Sequence, residues 1–234
     1  MRLLVTRPQA EAERTAQELA TRGHDALIAP VLDIQPVDAD FNPASFDAIV
    51  ITSGNAVPAL VQSSLRNSLV RPVLAVGNQT AQAARDAGFK DVTSADGDAA
   101  DLVSLIRNRW NKGRARLLYL AGSDRSRNLA GDLAADGIHV ETVIVYSAHA
   151  VARLPDDAQR ALRSGTIDGV LHYSRRSTVI FLTCADVGRI DVSLLCHYCL
   201  SRRAAEPLST RGFKNIRIAR HPDEAALLDL IATG

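Results

Sequence analysis

Aromatic side chains are scarce in this chain, which has one Trp, four Tyr and five Phe. Proteins that hold single-stranded nucleic acid stack bases on aromatic rings, and too few rings are present to build such a platform. An excess of one charge is also missing. Lys and Arg number 27 against 26 Asp and Glu, so the formal net charge is +1. No global field then draws the chain to nucleic acid, which is excluded as the main partner. Cysteine is limited to three residues. The N-terminal MRLLVTRPQAEAER has too short an apolar run for a signal peptide, so a disulfide framework is not expected. No apolar run approaches the length that spans a bilayer. The expectation is a cytoplasmic protein with no membrane partner.

Cofactor fingerprints are absent as well. No loop reads G-x-G-x-x-G or carries a P-loop lysine, which disfavours a nucleotide-dependent enzyme. The six histidines lie far apart in sequence with no helical pairing. Cys196-His197-Tyr198-Cys199 has the spacing of a metal or redox motif. Zinc would need a second ligand pair, and only Cys184 remains. In a buried strand these cysteines follow the pleat and behave as small hydrophobes. No metal and no cofactor are expected.

What is present suffices for two domains of ordinary size, with 234 residues, 47% of them hydrophobic and 23% charged. The chain is organised around Val73 to Val92. It reads as a buried strand (Val73 to Val76), a turn (Gly77, Asn78) and a short helix opening near Thr80. Gly88 stops that helix in the left-handed region, and Phe89 follows as a hydrophobic latch. Ala81, Ala84 and Ala87 keep one helix face narrow enough to lie close on a sheet. The turn leaves backbone N–H groups aimed at one spot, which suits an anion.

That stretch occurs again at His197 to Ile216, with Ser201 in the place of Gly77 and Gly-Phe-Lys repeated at Gly212, Phe213 and Lys214. Two further matches fall in the same order. Arg2-Leu3-Leu4 with Leu19 and Gly23 corresponds to Arg116-Leu117-Leu118 with Leu133 and Gly137. Phe46 to Val50 with Ser53 corresponds to Ile167 to Leu171 with Ser174. Together they indicate an internal duplication with a period of roughly 120 residues, domain-sized and far beyond the repeats of solenoids.

In order, Leu3 to Val5 reads as a strand, and Thr6-Arg7-Pro8-Gln9 as a helix start with Thr6 as N-cap and Gln9 completing a capping box. Gly23 ends that helix. Ala26 to Ala29 is a short strand closed by Pro30, and Val31 to Val37 runs extended, which suits an inter-domain crossing. Asp47 to Thr52 is a strand, Ser53-Gly54-Asn55 caps a helix from Ala56 to about Leu65, and Asp91 to Thr93 is an outer strand. Ala99 to Trp110 is amphipathic on Leu102, Val103, Leu105 and Ile106. Lys112-Gly113-Arg114 turns into a strand from Arg116 to Leu120, and a helix runs from Gly122-Ser123 through Leu133. Val140 to Tyr146 is a strand, and Ser147 to Arg153 crosses back. Then come a helix opened by Pro155-Asp156-Asp157, a strand from Gly169 to Tyr173, a turn at Ser174 to Ser177 and a helix from Thr178 to Leu182. Leu194 to Leu200 is a strand, and a helix from Pro222 to Ile231 closes the chain. Alternation of strands and helices predicts an α/β protein of two doubly wound parallel-sheet domains. Ligands of such sheets bind at the carboxyl ends of strands, where Thr6, Ser53, Gly77, Gly122, Ser174 and Ser201 all fall.

These residues resemble the uroporphyrinogen-III synthase family. The resemblance covers essentially the whole chain. It rests on VTRP (Val5 to Pro8), the strand closed at Pro30, ITSGNAV (Ile51 to Val57), AVGNQTA (Ala75 to Ala81), VIVYSA (Val143 to Ala148) and Cys199-Leu200-Ser201. No single motif is specific, but their order and spacing are. The family fold implies a domain of residues 1–33 plus 151–234 and a second of 38–145. Two extended linkers, about 34–37 and 146–150, would join them, with substrate in the cleft between. The implied reaction is the cofactor-free closure of hydroxymethylbilane. Its terminal hydroxyl leaves to give an azafulvene cation, the last pyrrole is attacked at its substituted carbon, and a spiro intermediate recloses with that ring inverted. Uncatalysed closure gives the unflipped type I isomer, so catalysis must be largely conformational. The resemblance also implies a monomer that takes its substrate in passing contact with the preceding pathway enzyme. The alternative from another class is a non-catalytic two-lobed protein that closes on an anionic ligand.

The resemblance puts Tyr146 in the place of the family's cleft tyrosine. A phenol, with an ordinary pKa near ~10, is neutral at pH 7 and can donate a hydrogen bond to the leaving hydroxyl. It puts Thr80 at the family's cleft threonine, although as a bare sequence feature Thr80 reads as an N-cap; its repeat counterpart is Ala204. Ser53, Asn55, Ser174 and Ser201 sit at strand-to-helix turns, where capping and ligand contact coexist with the backbone N–H groups. Arg175 and Arg176, and Arg202 and Arg203, adjoin equivalent strand ends and suit the carboxylates of a polycarboxylate substrate. Arg7 and Arg125, on the corresponding first loops of the two copies, are further candidates to receive those carboxylates.

Overall fold

Strands such as Ala48–Ile51 and Gly169–His172 are apolar at nearly every position and buried along their whole length. Continuous rather than alternating burial means that helices cover both faces of each sheet. The computed structural model describes residues 1–62, 71–110, 114–124 and 128–231. It divides into two units, residues 1–33 with 149–234 and residues 34–148.

The first unit holds β1 (Arg2–Val5), β2 (Asp25–Ile28), β9 (Gly169–His172), β10 (Cys196–Cys199) and β11 (Ile216–Ile218). They form one parallel sheet in the order β11-β10-β9-β1-β2. Leu3, Val5, Leu171 and Tyr198 point to one face, under α1 (Gln9–Thr21) and α9 (Glu224–Asp229). Leu4, Val170 and Cys199 point to the other, under α6 (Asp156–Arg163), α7 (Arg175–Val187) and α8 (Arg202–Thr210).

The second unit is built the same way. Its sheet runs β3-β8-β7-β4-β5-β6, from β3 (Leu32–Pro36), β4 (Ala48–Ile51), β5 (Val73–Ala75), β6 (Val92–Ser94), β7 (Ala115–Gly122) and β8 (Ile138–Ala150). Ile49, Ile51, Leu118 and Leu120 pack on α2 (Val57–Gln62) and α3 (Asn78–Asp86). Ala48, Val50, Leu117 and Tyr119 pack on α4 (Ala99–Arg109) and α5 (Leu129–Ala134). Ala81 and Ala84 of α3 are fully buried, while Ala87 is half-buried, so the narrow helix face spans the first two of the three alanines. Gly88 has φ +98°, the left-handed stop that α3 requires.

Strand order relates the two sheets. Read from β9, the first unit runs β9, β10, β11, β1, β2 and the second β4, β5, β6, β7, β8; both then have the spatial order 3-2-1-4-5. Equivalent strands are β1 and β7, β9 and β4, and β10 and β5, which are the pairs whose sequences repeat. Each unit therefore combines half of one sequence copy with half of the other.

Several local expectations are corrected. Thr6 does not cap α1. The N-cap position is Pro8, with no side-chain bond. Thr6 is fully buried and its Oγ1 donates to the Leu171 carbonyl at 2.8 Å, so the hydroxyl serves the neighbouring strand instead. A capping box does form at α4, where Asp98 accepts from Asp101 N and Asp101 accepts from Asp98 N. Thr80 is not a cap either. Gly77 holds that position, and Thr80 is the third residue of α3 and buried. Helix α7 begins at Arg175, not Thr178, because Ser174 caps it through Ser177 N at 3.1 Å.

The segment expected as the second linker, residues 146–150, lies inside the 13-residue strand β8. Val37 N donates to Val145 O at 3.0 Å and Val151 N to Val31 O at 3.1 Å. Residue numbers rise on one side as they fall on the other, so β3 and β8 pair antiparallel. Backbone groups of two adjacent extended segments satisfy each other in this way. The end of the helix expected to about Leu65, the turn at Lys112-Gly113, and Arg125 lie outside the described residues.

Candidate active site

In both sheets the strand order reverses between the first and fourth strands of the equivalent series, at β4/β7 and at β9/β1. Loops at the carboxyl ends of those strands are where doubly wound sheets bind ligands.

At the β4/β7 switch point, Thr52 Oγ1 and the Tyr119 hydroxyl share a hydrogen bond of 3.0 Å. Ser53 caps a 3-10 turn at Gly54–Ala56, its Oγ accepting from Asn55 N at 3.2 Å. Gly77 is extended, at φ −145°, and a Cβ there would meet nothing within 4 Å. The glycine therefore relieves no strain; it leaves the N-terminus of α3 unobstructed. Ser53, Asn55, Gly77 and Thr80 are brought to the same end of one sheet, following adjacent strands β4 and β5.

Tyr146 reaches that end through an irregularity of pairing. Ala121 pairs with Ile144 but Gly122 pairs with Tyr146, so one residue of β8 is extra. Val145 and Tyr146 consequently pack on the same face, which a regular strand forbids and a β-bulge allows. The Tyr146 ring lies directly over Gly122. A Cβ at position 122 would stand 2.6 Å from Cε2 and 2.9 Å from the hydroxyl oxygen. Glycine at 122 is thus required by the approach of the ring. Ser123 N donates to the Tyr146 carbonyl at 3.0 Å and pins the bulge.

At the β9/β1 switch point stands a network that sequence reasoning missed. Arg7 was expected to receive substrate carboxylates. Its guanidinium already meets Glu11 at 3.1 Å and Glu224 at 2.8 Å, and lies 4.1 Å above the Tyr173 ring. The same Glu224 oxygen accepts from Thr15 Oγ1 at 2.5 Å and from the Tyr173 hydroxyl at 2.9 Å. Burial alone would lower the Arg7 pKa, but Glu11, Tyr173 and Glu224 outweigh it and raise it. Burial, with Glu224 adding, pushes the Tyr173 hydroxyl well above its ordinary value, so it remains a donor. Arg7 therefore locks α9 onto the first loop. Glu224 lies 217 residues from Arg7, and no local pattern signals the pairing.

Ser174 and Ser201 cap α7 and α8 at adjacent strands, accepting from Ser177 N and Ala204 N. Arg175 and Arg176, and Arg202 and Arg203, occupy the first turns of those helices. Arg175 contacts Glu206 of α8 at 3.1 Å on the surface. All four serve the same end of the first unit's sheet.

His172 and His197 are buried side by side, with Nε2 and Nδ1 at 3.0 Å. The Val192 carbonyl lies 3.0 Å from His197 Nε2, which must carry the hydrogen. His197 Nδ1 then accepts from His172 Nε2, and His172 Nδ1 is an acceptor with no partner among the described residues. Burial, reinforced by His197, holds the His172 pKa well below its ordinary value. Burial also lowers that of His197, against the Val192 hydrogen bond. Cys184, Cys196 and Cys199 are free thiols, in no disulfide. Burial pushes Cys199 up to about 12 and raises Cys184, as for small hydrophobes. Among the described residues no cluster of His, Cys, Asp or Glu could hold a metal ion, and no helix is long and apolar enough to cross a membrane.

The fold is that of known structures. A uroporphyrinogen-III synthetase from Helicobacter pylori is 20% identical, with a TM-score of 0.67 over 100% of this chain and 99% of that one. A mutant uroporphyrinogen III synthase from Thermus thermophilus is 17% identical, with a TM-score of 0.52 over 100% of this chain and 98% of that one. No curated protein matches the sequence. The family model for uroporphyrinogen-III synthase HemD matches residues 13–229. With nearly its whole length matched, the chain belongs to the uroporphyrinogen-III synthase family.

Proposed function

We propose that this chain closes hydroxymethylbilane to uroporphyrinogen III, inverting the terminal pyrrole through a spiro intermediate, as a lyase of tetrapyrrole biosynthesis. The family match over residues 13–229 carries this reading. The two units of the fold are its two domains, and the β3/β8 ribbon takes the place of the linkers. The enzyme acts as a monomer in the cytoplasm and receives its substrate in transient contact with the enzyme that makes it.

In this reading, Tyr146 donates a hydrogen bond to the departing hydroxyl. Its ring is held over Gly122 by the bulge of β8, which supports a fixed orientation for the donor. Loss of the hydroxyl generates a cation, so the acid need act only while the C–O bond breaks. Ser53, Asn55, Gly77 and Thr80 then position the bilane through the turns after β4 and β5, mostly by backbone N–H groups. Ser174, Arg175, Arg176, Ser201 and Arg202 receive its carboxylates. Arg125 is retained from the sequence as a further contact, whereas Arg7 acts by holding its own loop. Selection between the two isomers comes from holding the terminal ring so that attack at the substituted carbon precedes simple closure.

The test is the isomer ratio. Purified protein, without added metal or cofactor, is mixed with hydroxymethylbilane at neutral pH, and the products are oxidised and separated by chromatography. Type III should dominate. A binding protein that merely sequesters the bilane leaves type I, and dominance of type I with folded protein in excess overturns the assignment.

A further inference from the structure

Beyond the switch point, at the carboxyl ends of β10 and β11, the first unit carries an open cavity of about 640 Å³. Its size is that of an ordinary small-molecule site. One wall is apolar, from Leu200, Ala205, Ile218 and Pro222; Ile218 is 38% exposed, high for an isoleucine in a strand. The rim is cationic. Arg202 enters from the first turn of α8, and Arg220 from the segment that follows β11. Neither has a carboxylate partner among the described residues, unlike Arg7, Arg22, Arg107, Arg175 and Arg211. Ser201 Oγ and the Ser201 carbonyl accept from Ala204 N and Ala205 N, so in the first turn of α8 the N–H groups of Arg202 and Arg203 take no partner among the described bonds.

We propose that Arg220 and Arg202 clamp a carboxylate of one acidic pyrrole of the substrate, with the ring against the Leu200–Ile218–Pro222 wall. Arg220 was not among the residues singled out by sequence. A ring with carboxyalkyl arms needs both halves of this cavity, an apolar face for its plane and a planar cationic fork for its acid. Exposed single ion pairs contribute little; two guanidinium groups from separate elements on one anion, beside the N-terminus of α8, contribute more because each adds a charge-assisted hydrogen bond to the same group. Arg220 then acts as a specificity-determining residue that selects acid-bearing rings. This inference rests on the cyclase reading for its substrate, though the cavity is tested without it.

Arg220→Gln and Arg202→Gln are compared with wild type and with Lys214→Gln, an exposed cation in the turn before β11, at the other end of that strand. In the type III assay, Arg220→Gln should raise KM about tenfold with kcat nearly unchanged, the pattern of lost uniform binding. Arg220→Lys should recover part of the loss, and Lys214→Gln should match wild type. Independently, titration with uroporphyrin III, followed by fluorescence, should give a Kd about tenfold weaker for Arg220→Gln. An Arg220→Gln enzyme with KM and Kd within twofold of wild type overturns the clamp while leaving the cyclase assignment intact. If wild type makes no type III isomer but binds uroporphyrin III in an Arg220-dependent way, the cyclase reading fails and the cavity stands. A loss in kcat alone also overturns the proposal.

Discussion

Replacing Glu224 by Gln removes one negative charge and almost no volume from the network that joins α9 to the loop after β1. Arg7 and Glu224 are 2.8 Å apart, with side chains only 11% and 18% exposed. Breaking a buried pair by removing one partner costs about 3–5 kcal/mol, because a charge is left desolvated. Here Glu11 still faces Arg7 at 3.1 Å, and the amide oxygen can still accept from Thr15 and Tyr173. The loss should therefore fall to about 2 kcal/mol, below that range. For a domain of little more than a hundred residues this lowers the melting midpoint by about 8 °C. Scanning calorimetry or far-UV circular dichroism reads the shift. The control is Asp229→Asn on the same helix, which removes the partner of Arg22 in a pair that is 27% and 72% exposed. Solvent screening should hold that change within about 0.5 kcal/mol. If Glu224→Gln moves the midpoint by less than about 2 °C, or no more than Asp229→Asn does, burial is not what gives this network its strength.

Tyr146→Phe should lower kcat about tenfold, ~1.4 kcal/mol for one neutral donor, with the fold unchanged; wild-type turnover at saturating substrate would remove the hydroxyl from the mechanism. Gly122→Ala should cost at least as much in kcat, because the new methyl lands 2.6 Å from the Tyr146 ring and the ring must move; added to Tyr146→Phe it should cost little more, and additive losses would contradict the link. The His172–His197 pair should make stability fall below neutral pH. Both folded pKa values are depressed, so the unfolded chain binds protons first; the stabilisation is full above about pH 6.5 and is lost progressively toward lower pH, by up to about 1.4 kcal/mol per pH unit for each histidine. Urea midpoints between pH 7.5 and 5 should show that slope, and it should flatten in the His172→Leu/His197→Leu double variant; an unchanged slope would assign the effect elsewhere.

Much of this protein was determined by local chemistry that any segment carries with it. Ser53, Ser174 and Ser201 cap their turns and helices because a short side-chain oxygen reaches the next free N–H groups whatever the rest of the chain does. Gly23, Gly88, Gly137 and Gly212 end their helices at positive φ because only glycine does so without strain, and they form two equivalent pairs in the two sequence copies, Gly23 with Gly137 and Gly88 with Gly212. Continuous apolar runs marked strands covered on both faces, and the repeated stretches marked equivalent strands. What only the tertiary structure decided depends on atoms far apart along the chain. Thr6 reads as a cap until β9 offers it the Leu171 carbonyl, 165 residues away. Arg7 reads as a free cation until α9 brings Glu224 beside it. Arg220 has no motif around it at all, and gains a role from the packing of β11 against β10 and α8. The bulge that turns Tyr146 onto Gly122 is a matter of register between two strands, and VIVYSA reads the same with or without it. Capping and helix stops are decided within a few residues and at a cost that local contacts cover. Charge compensation, register and cavities are decided by which segments the hydrophobic core brings together, and the sequence of one segment does not contain its neighbour.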